Sequence, residues 1–322
     1  MNQIEGKAWH ALAWAKGMRP KTMWRIADYL SSQQKTASWL LRNPDQIKAV
    51  LMGSLISIAM PTFKDQEHDK VEKYDWRQVT VLHPLHPDFP LKIKILNERI
   101  TLPAILNVRG NVAILNRSSV AIVGKRQAGE AALAVADSLA CELAGKGINV
   151  TSGYASGIDS AAHLAALRSG GTTGIVLAEG IHHFQTKPEL KDYLAVDNIL
   201  VVSQFEPDAK WASYHAMTRN KLVCALSGAV VVVVSGPERN ASGRMSGTFD
   251  AGMSALKMGI PVFAVFPNFF ADSPEGNRQL ITKGCREWDP ASGAAPILAA
   301  LNSNADQKPP PRQLSLFGNS ED

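Results

Sequence analysis

The residue types best able to do chemistry stand in glycine-bounded loops at the ends of strand-like runs. Val120–Val123 leads into Gly124-Lys125-Arg126-Gln127-Ala128-Gly129. Gly124 lets the backbone approach a ligand, and Lys125 with Arg126 adds positive charge at the same edge, so the loop reads as an anion pocket. A tight strand-to-helix turn with surface charges would use the same residues. No glycine follows two positions on and no G-K-[ST] appears, which argues against a dinucleotide or nucleoside-triphosphate loop. A second loop, Gly153-Tyr154-Ala155-Ser156-Gly157, precedes Asp159 and, four residues later, His163. Asp159 is placed to cap the helix that follows, and His163 lies one turn along the same face. The two could work as a base pair in catalysis. Bracing of the loop, with Asp159 as cap and His163 as a packed helix residue, is the stronger reading.

These loops need a frame. Strand-like runs alternate with helical ones: Ser119–Val123, Ala131–Lys146, Asn149–Ser152, Asp159–Ser169, Thr173–Leu177, Ile199–Gln204, Ala216–Leu226, Ala229–Ser235, Phe249–Met258 and Pro261–Val265. That order predicts parallel strands joined by right-handed crossovers. Val230–Val234 is five valines in succession, a strand apolar on both faces that belongs mid-sheet under two helical layers. The expected fold is a doubly wound α/β domain, whose ligands bind beyond the carboxyl ends of the strands, where helix N-termini present free N–H groups.

At 322 residues the chain has room for more than one folded unit. Ala8–Leu51 shows helical periodicity broken at Gly17-Met18-Arg19-Pro20 and Asn43-Pro44, a small bundle with Leu12, Ala15, Trp24, Ile26, Tyr29, Trp39 and Leu40 as its core. Its Gly17…Pro20-Lys21 turn resembles that of a helix-hairpin-helix, which can hold a DNA phosphate, although such turns also join ordinary packed helices. The charged stretch Asp65–Lys73 and the strand-like Val79–Leu82 mark the junction, giving a helical unit over 1–64, a sheet domain over 65–301 and a flexible tail over 302–322.

The net charge of +5 permits attraction to phosphates without deciding it. Cys141, Cys224 and Cys285 are odd in number and far apart, so neither a disulfide framework nor a zinc site is expected, and all three read as buried thiols. The longest nearly uncharged apolar stretch, Leu222–Val234, falls short of the roughly 20 residues a bilayer crossing needs. Glu5, Lys7 and His10 interrupt any export core. No membrane partner is expected, and a cytoplasmic location is.

Four ordered motifs carry a resemblance: V-A-I-V-G-K-R (Val120 to Arg126), S-G-Y-A-S-G-I-D-S-A-A-H-L-A-A-L (Ser152 to Leu167), G-G-T-T-G-I-V-L-A-E-G-I (Gly170 to Ile181) and R-N-K-L-V-C-A-L-S (Arg219 to Ser227). They resemble the DNA-processing protein A family, also called Smf, and so do the lead-ins His86–Leu91 and Leu102–Asn111. The resemblance implies an extended Rossmann-like, mostly parallel sheet behind a small helical domain of SAM or helix-hairpin-helix type. It implies binding of single-stranded DNA, dimerisation, loading of the bacterial recombinase onto the strand, no catalysis, no cofactor and no metal. Carried over by motif, Gly124, Lys125 and Arg126 would line the phosphate pocket and Gly153 and Gly157 would hold the neighbouring loop. Arg219 and Lys221 would grip the strand, with Asn220 positioning that arginine. Cations and main-chain donors suit binding that ignores base identity.

The sequence departs from the family pattern in Lys125 for serine, Ser203-Gln204 for Ser-Glu, and Lys221 for the second arginine. Ser246-Gly247-Thr248 opens a helix as anion-binding turns do, in an altered form of a hydroxyl-rich segment. A winged-helix domain, frequent in the family, is not expected in the residues after Leu301. Instead Gln313-Leu314-Ser315-Leu316-Phe317 follows Pro309-Pro310-Pro311 and resembles the pentapeptide that docks bacterial DNA enzymes on the replicative sliding clamp. Gln313 would hydrogen-bond, with Leu314 beside it, while Leu316 and Phe317 fill an apolar pocket. Two other classes stay open: a nucleotide-binding enzyme or nucleotide-signal sensor, for which Glu179 and Glu206 are the only candidate acids, and a scaffold docking through its tail.

Overall fold

The computed structural model describes residues 3–15, 17–43, 45–46 and 74–306, side chains of 304–306 excepted. The expected junction Asp65–Lys73 and the clamp-like residues Gln313, Leu314, Leu316 and Phe317 lie outside the described residues.

Three helices come first, α1 (Gln3–Trp14), α2 (Pro20–Ser32) and α3 (Ala37–Arg42). Pro20 suits the first turn of α2, where its missing N–H costs nothing, and the Thr36 hydroxyl caps α3 by accepting from Trp39 N at 3.1 Å. Leu12, Ala15, Trp24, Ile26 and Leu40 are buried as expected, whereas Tyr29 and Trp39 are half-buried. The bundle shares one apolar core with the sheet: Trp9 stacks on His83 with ring centroids 5.1 Å apart, and Gly6 lies against Val81.

The sheet has nine strands: β1 (Thr80–Leu82), β2 (Leu106–Gly110), β3 (Ser119–Val123), β4 (Asn149–Ser152), β5 (Thr173–Val176), β6 (Ile199–Ser203), β7 (Ala229–Val232), β8 (Val262–Val265) and β9 (Arg286–Trp288). Their order is β1-β2-β6-β5-β4-β3-β7-β8-β9. Strands β6 to β9 in that order are parallel, while β2 pairs antiparallel with β6 and β1 with β2. The intervening helices are α4 (Leu91–Leu96), α5 (Glu130–Gly145), α6 (Ile158–Arg168), α7 (Ser213–Ala225), α8 (Gly247–Met258), α9 (Glu275–Thr282) and α10 (Ala295–Asp306).

Alternation of side chains along each strand divides the core in two. Val120, Ile122, Val231 and Val233 pack with the apolar faces of α5, α6 and α10. Ala121, Val123, Val230 and Val232 pack on the other side with α7, α8 and α9. Each buried valine contributes about 2 kcal/mol, which is why the five-valine run takes the middle of the sheet.

Two expectations need correction. Helix α10 runs to Asp306, so 302–306 are not an extended linker; the Ser303 hydroxyl donates to Ala299 O at 3.0 Å. Cys141 is half-buried, unlike Cys224 and Cys285.

The chain runs from β3 outward through β4, β5 and β6, then returns to place β7 on the opposite side of β3. Helices leave β3 and β7 toward opposite faces, and the crevice between them opens at the carboxyl edge. The loops Gly124–Arg126 and Val233–Ser246 begin there.

Candidate functional site

Three glycines shape this edge through contacts a side chain would prevent. A Cβ on Gly124 would overlap Ile158 of α6, so its absence lets helix and strand close together. Gly157, at φ +77°, lies against the carbonyls of Lys125 and Arg126 and is the N-cap of α6. The expected cap, Asp159, is instead inside the first turn, with its Oδ2 accepting from Ala155 N at 3.3 Å. A Cβ on Gly153 would occupy the position of the Arg219 guanidinium.

Arg219 therefore does not reach into solvent as a strand-gripping cation would. It is 5% exposed, lies across Gly153, and pairs with Asp159 at 3.5 Å between Nη1 and Oδ2. Burial pulls its pKa below the ordinary guanidinium value, and the Asp159 charge opposes that shift. Its Nε has no hydrogen-bond partner among the described residues. Asp159 and His163 do not form a dyad, since each holds a different backbone group of the 153–157 loop. The His163 Nε2 meets Gly153 O, its Nδ1 lies 2.7 Å from Thr173 Oγ1, and burial pushes its pKa down to about 4. Gly153 O can only accept, so Nε2 carries the proton of the neutral ring, while Nδ1 shares the single Thr173 hydroxyl proton with Val150 O, which lies 2.8 Å from Thr173 Oγ1.

Above Arg219 opens a cleft of about 180 Å³, walled by Arg126, Tyr154, Ser156, Glu179 and Trp211. The Arg126 guanidinium carbon lies 5.5 Å from the centre of the Trp211 ring, a cation–π contact, and Trp211 is 51% exposed. Behind the lining residues Tyr154 and Ala155, Lys187 Nζ sits 4.5 Å from the centre of the Tyr154 ring and donates to Ala155 O and Ser160 Oγ at 3.1 and 2.6 Å. The Tyr154 hydroxyl donates to Gln185 O at 3.1 Å and accepts from Lys187 N at 2.9 Å. Burial lowers the Lys187 pKa and raises that of Tyr154. Of the two acids considered from sequence, Glu179 lines the cleft and Glu206 does not.

A second cluster adjoins the first where β3 and β7 end. Lys125 and Ser246 flank Gly236 there, where an added Cβ would come into van der Waals contact with both side chains. Ser246 caps α8, its Oγ accepting from Phe249 N at 3.3 Å, and half-buried Gly247 and Thr248 form the first turn. Asn220 does not position Arg219: its Nδ2 donates to Gly247 O at 3.0 Å, joining α7 to the start of α8. Half-buried Lys221 is within electrostatic reach of Asp250 on α8, whose pKa burial raises and Lys221 lowers in part. The fold thus brings Arg126 and Arg219 to one cleft and Lys125 with Ser246 to its flank, while Lys221 faces α8.

Sequence reasoning passed over Trp211, Tyr154 and Lys187 as site residues. The one signal for Trp211 was its polar setting, Asp208-Ala209-Lys210 before and Ala212-Ser213 after, which gives an indole no strand or helix face to bury in. Among the described residues no group of His, Cys, Asp and Glu is arranged to hold a metal ion, and no helix is long and apolar enough to cross a membrane.

Comparison with known proteins places this arrangement. Residues 80–295 match the family model for DNA recombination-mediator protein A. The DNA processing protein DprA of Bacillus subtilis is 33% identical over 187 residues, spanning 57% of this chain and 60% of that protein. Its Streptococcus pneumoniae counterpart is 32% identical over 198 residues, 59% of this chain and 65% of that one. The chain thus covers less than two thirds of the length of either relative. Among solved structures, DNA processing protein A from S. pneumoniae superposes with a TM-score of 0.71 at 23% identity, covering 91% of this chain and 97% of that one. The protein of the same name from Helicobacter pylori, described for its single-stranded DNA binding mode, gives 0.55 at 24% identity, covering 71% and 96%. Since the family model takes in the sheet from β1 to β9 with every loop of the cleft, the chain belongs to the DNA recombination-mediator protein A family.

Proposed function

We propose that this protein binds single-stranded DNA without regard to sequence and serves recombination, uptake or processing of DNA as a mediator that helps load a recombinase, with no chemical step of its own. The observation that carries the reading is the Arg126–Trp211 pair at the lip of the cleft. An exposed indole offers a stacking surface to any unpaired base, and the guanidinium beside it serves the adjoining phosphate. Bases in a duplex are already stacked, so the same lip discriminates against paired DNA. Arg219, held against Asp159, contributes as the floor of the cleft, and Gly153 and Gly157 contribute by shaping its wall.

The test is titration of the full chain with fluorescein-labelled oligo-deoxythymidine, the matching duplex and mononucleotides. Single strands are expected to bind, to quench tryptophan emission, and to bind about tenfold more weakly to Arg126→Ala, with a salt dependence shallower by about 0.7. Equal affinity for duplex, or no change in Arg126→Ala, overturns the reading. Turnover of a nucleotide that Glu179→Gln abolishes would replace it with the enzyme reading.

The partners belong to the same proposal. A second copy of the chain, the recombinase, and a sliding clamp engaged through residues 313–317 are assigned on the resemblance of the sequence, and the cytoplasm is where all would meet. Deletion of 313–317 is expected to abolish clamp binding and leave strand binding intact. Retained clamp binding rejects that assignment.

A further inference from the structure

Between β7 and α8 the chain makes an excursion that none of the motifs above explains. Arg239 and Met245 form an antiparallel bridge, and Asn240 closes the turn between them. The Asn240 Oδ1 accepts from Ser242 N, Ser242 Oγ and Arg244 N, while its backbone N–H donates to Arg244 O at 2.9 Å. Gly243 supplies the positive φ of +75° the turn needs. The base is also held: Glu238 N donates to Gln279 Oε1 at 2.8 Å, and Ser246 N donates to Glu238 O at 3.1 Å.

This rigid turn holds two guanidinium groups in solvent. Arg239 is fixed by donation to Gly243 O at 2.9 Å, and Arg244 is exposed. Neither pairs with a carboxylate among the described residues, because the local acid, Glu238, is taken by Lys283 at 3.2 Å. Exposed arginines on a flexible loop would be unremarkable for a basic protein. Here a seven-residue turn without an acid is closed by its own side chains, the preceding Glu238 is paired with Lys283, and the base of the turn lies beside Gly236, which Lys125 and Ser246 flank.

We infer that the 239–245 turn is a second phosphate-contact site, which carries a single strand leaving the cleft past Lys125 and beyond the carboxyl end of β7. The inference rests on the single-strand reading of the cleft and extends it to a longer footprint: Arg126 and Trp211 take the first nucleotides, Lys125 bridges, and Arg239 with Arg244 takes phosphates further along. Contacts of this kind are indifferent to base identity and depend on the length of the strand and on salt.

The experiment compares oligo-deoxythymidines of about 4 and about 16 nucleotides, the ends of the range for a single binding surface, on the full chain. Arg239→Ala/Arg244→Ala is expected to weaken the long oligonucleotide about tenfold and to lower its salt slope by about 1.4, two phosphates at about 0.7 each. The short one should bind as it does to the wild type. Arg244→Ala, whose side chain supports nothing in the turn, should give about half the change in slope and guards against misfolding of the double variant. Arg239→Lys/Arg244→Lys should restore the slope. An unchanged slope for the long strand overturns the inference, and so does an equal loss for both lengths, which would put the arginines in the cleft itself. Failure of the cleft reading looks different: neither length would respond to Arg126→Ala.

Discussion

Arg219 and Asp159 form an ion pair closed off from solvent, each side chain more than nine-tenths buried, and Gly153 makes the space it occupies. A buried pair is a weak source of net stability, but removal of one partner leaves the other charge desolvated and unpaired, at a cost of about 3–5 kcal/mol. Arg219→Ala and Asp159→Ala are each expected to lose stability on that scale, and the double variant less than the sum. Urea midpoints read this directly, and strict additivity would show that the pair is not coupled. It follows that loss of DNA binding in Arg219→Ala reports the fold of the cleft as well as its charge.

Gly153→Ala tests the same relationship from the backbone side. The added methyl would displace the guanidinium, and overpacking costs about 1–3 kcal/mol even without a charge to expel. In the Arg219→Ala background only the Asp159 carboxylate still stands against the added methyl, so the substitution should cost less there. A double-mutant cycle by denaturant unfolding measures the difference. The same cost in both backgrounds would mean that Gly153 is required for its own conformation rather than for the arginine.

Acid should weaken the fold before the carboxylates titrate. An unfolded histidine takes up its proton near pH 6.5, whereas burial holds His163 neutral down to about 4 and His83 down to about 3. Between these values the unfolded chain binds more protons, so stability is fully present above about pH 6.5 and falls as the pH drops toward 4. His163→Gln, whose amide can still donate to Gly153 O, should flatten this limb. Denaturant midpoints measured from about pH 7.5 down to about 5 provide the check, and an unaltered slope in the variant would remove His163 as its source.

The parts of the fold legible in the sequence were those set by local pattern. Val230–Val234 announces a central strand because only a doubly covered position buries both of its faces, and the glycines after β3 and β4 mark turns that no other residue could make. The antiparallel flank was harder. Leu106–Gly110 reads like any short strand, and its direction depends on meeting β6 some ninety positions later through pairs such as Val108 and Val202. β9 was hidden by Arg286 and Glu287, exposed at the sheet edge, with only Trp288 facing the core. In the cleft, motif spacing located Arg126 and Arg219 but not the burial of Arg219. That follows from Gly153 lying under α7, a contact between residues 66 positions apart. Trp211, Tyr154 and Lys187 come from three separate loops, so no single stretch of sequence carries their meeting.

Asn277 is the hinge pin on which the flank of the cleft depends. It is fully buried at the start of α9, with its Nδ2 donating to Val233 O and Val265 O at 2.9 Å each and its Oδ1 accepting from Ser235 N at 2.8 Å. One amide thus joins the exits of β7 and β8, and it fixes Ser235 where the chain turns into Gly236 beside Lys125. Asn277→Ala leaves three buried backbone groups without this partner, and at about 1–3 kcal/mol for each unsatisfied group the loss should reach about 3 kcal/mol. Asn277→Asp keeps the acceptor for Ser235 but sets a carboxylate against two carbonyls, so it should not rescue the fold. Hydrogen exchange at the Ser235 amide separates a local role from a global one. Exchange there should accelerate in Asn277→Ala beyond what the lost global stability explains, and protection equal to that of neighbouring core amides would show that the side chain does not hold this corner.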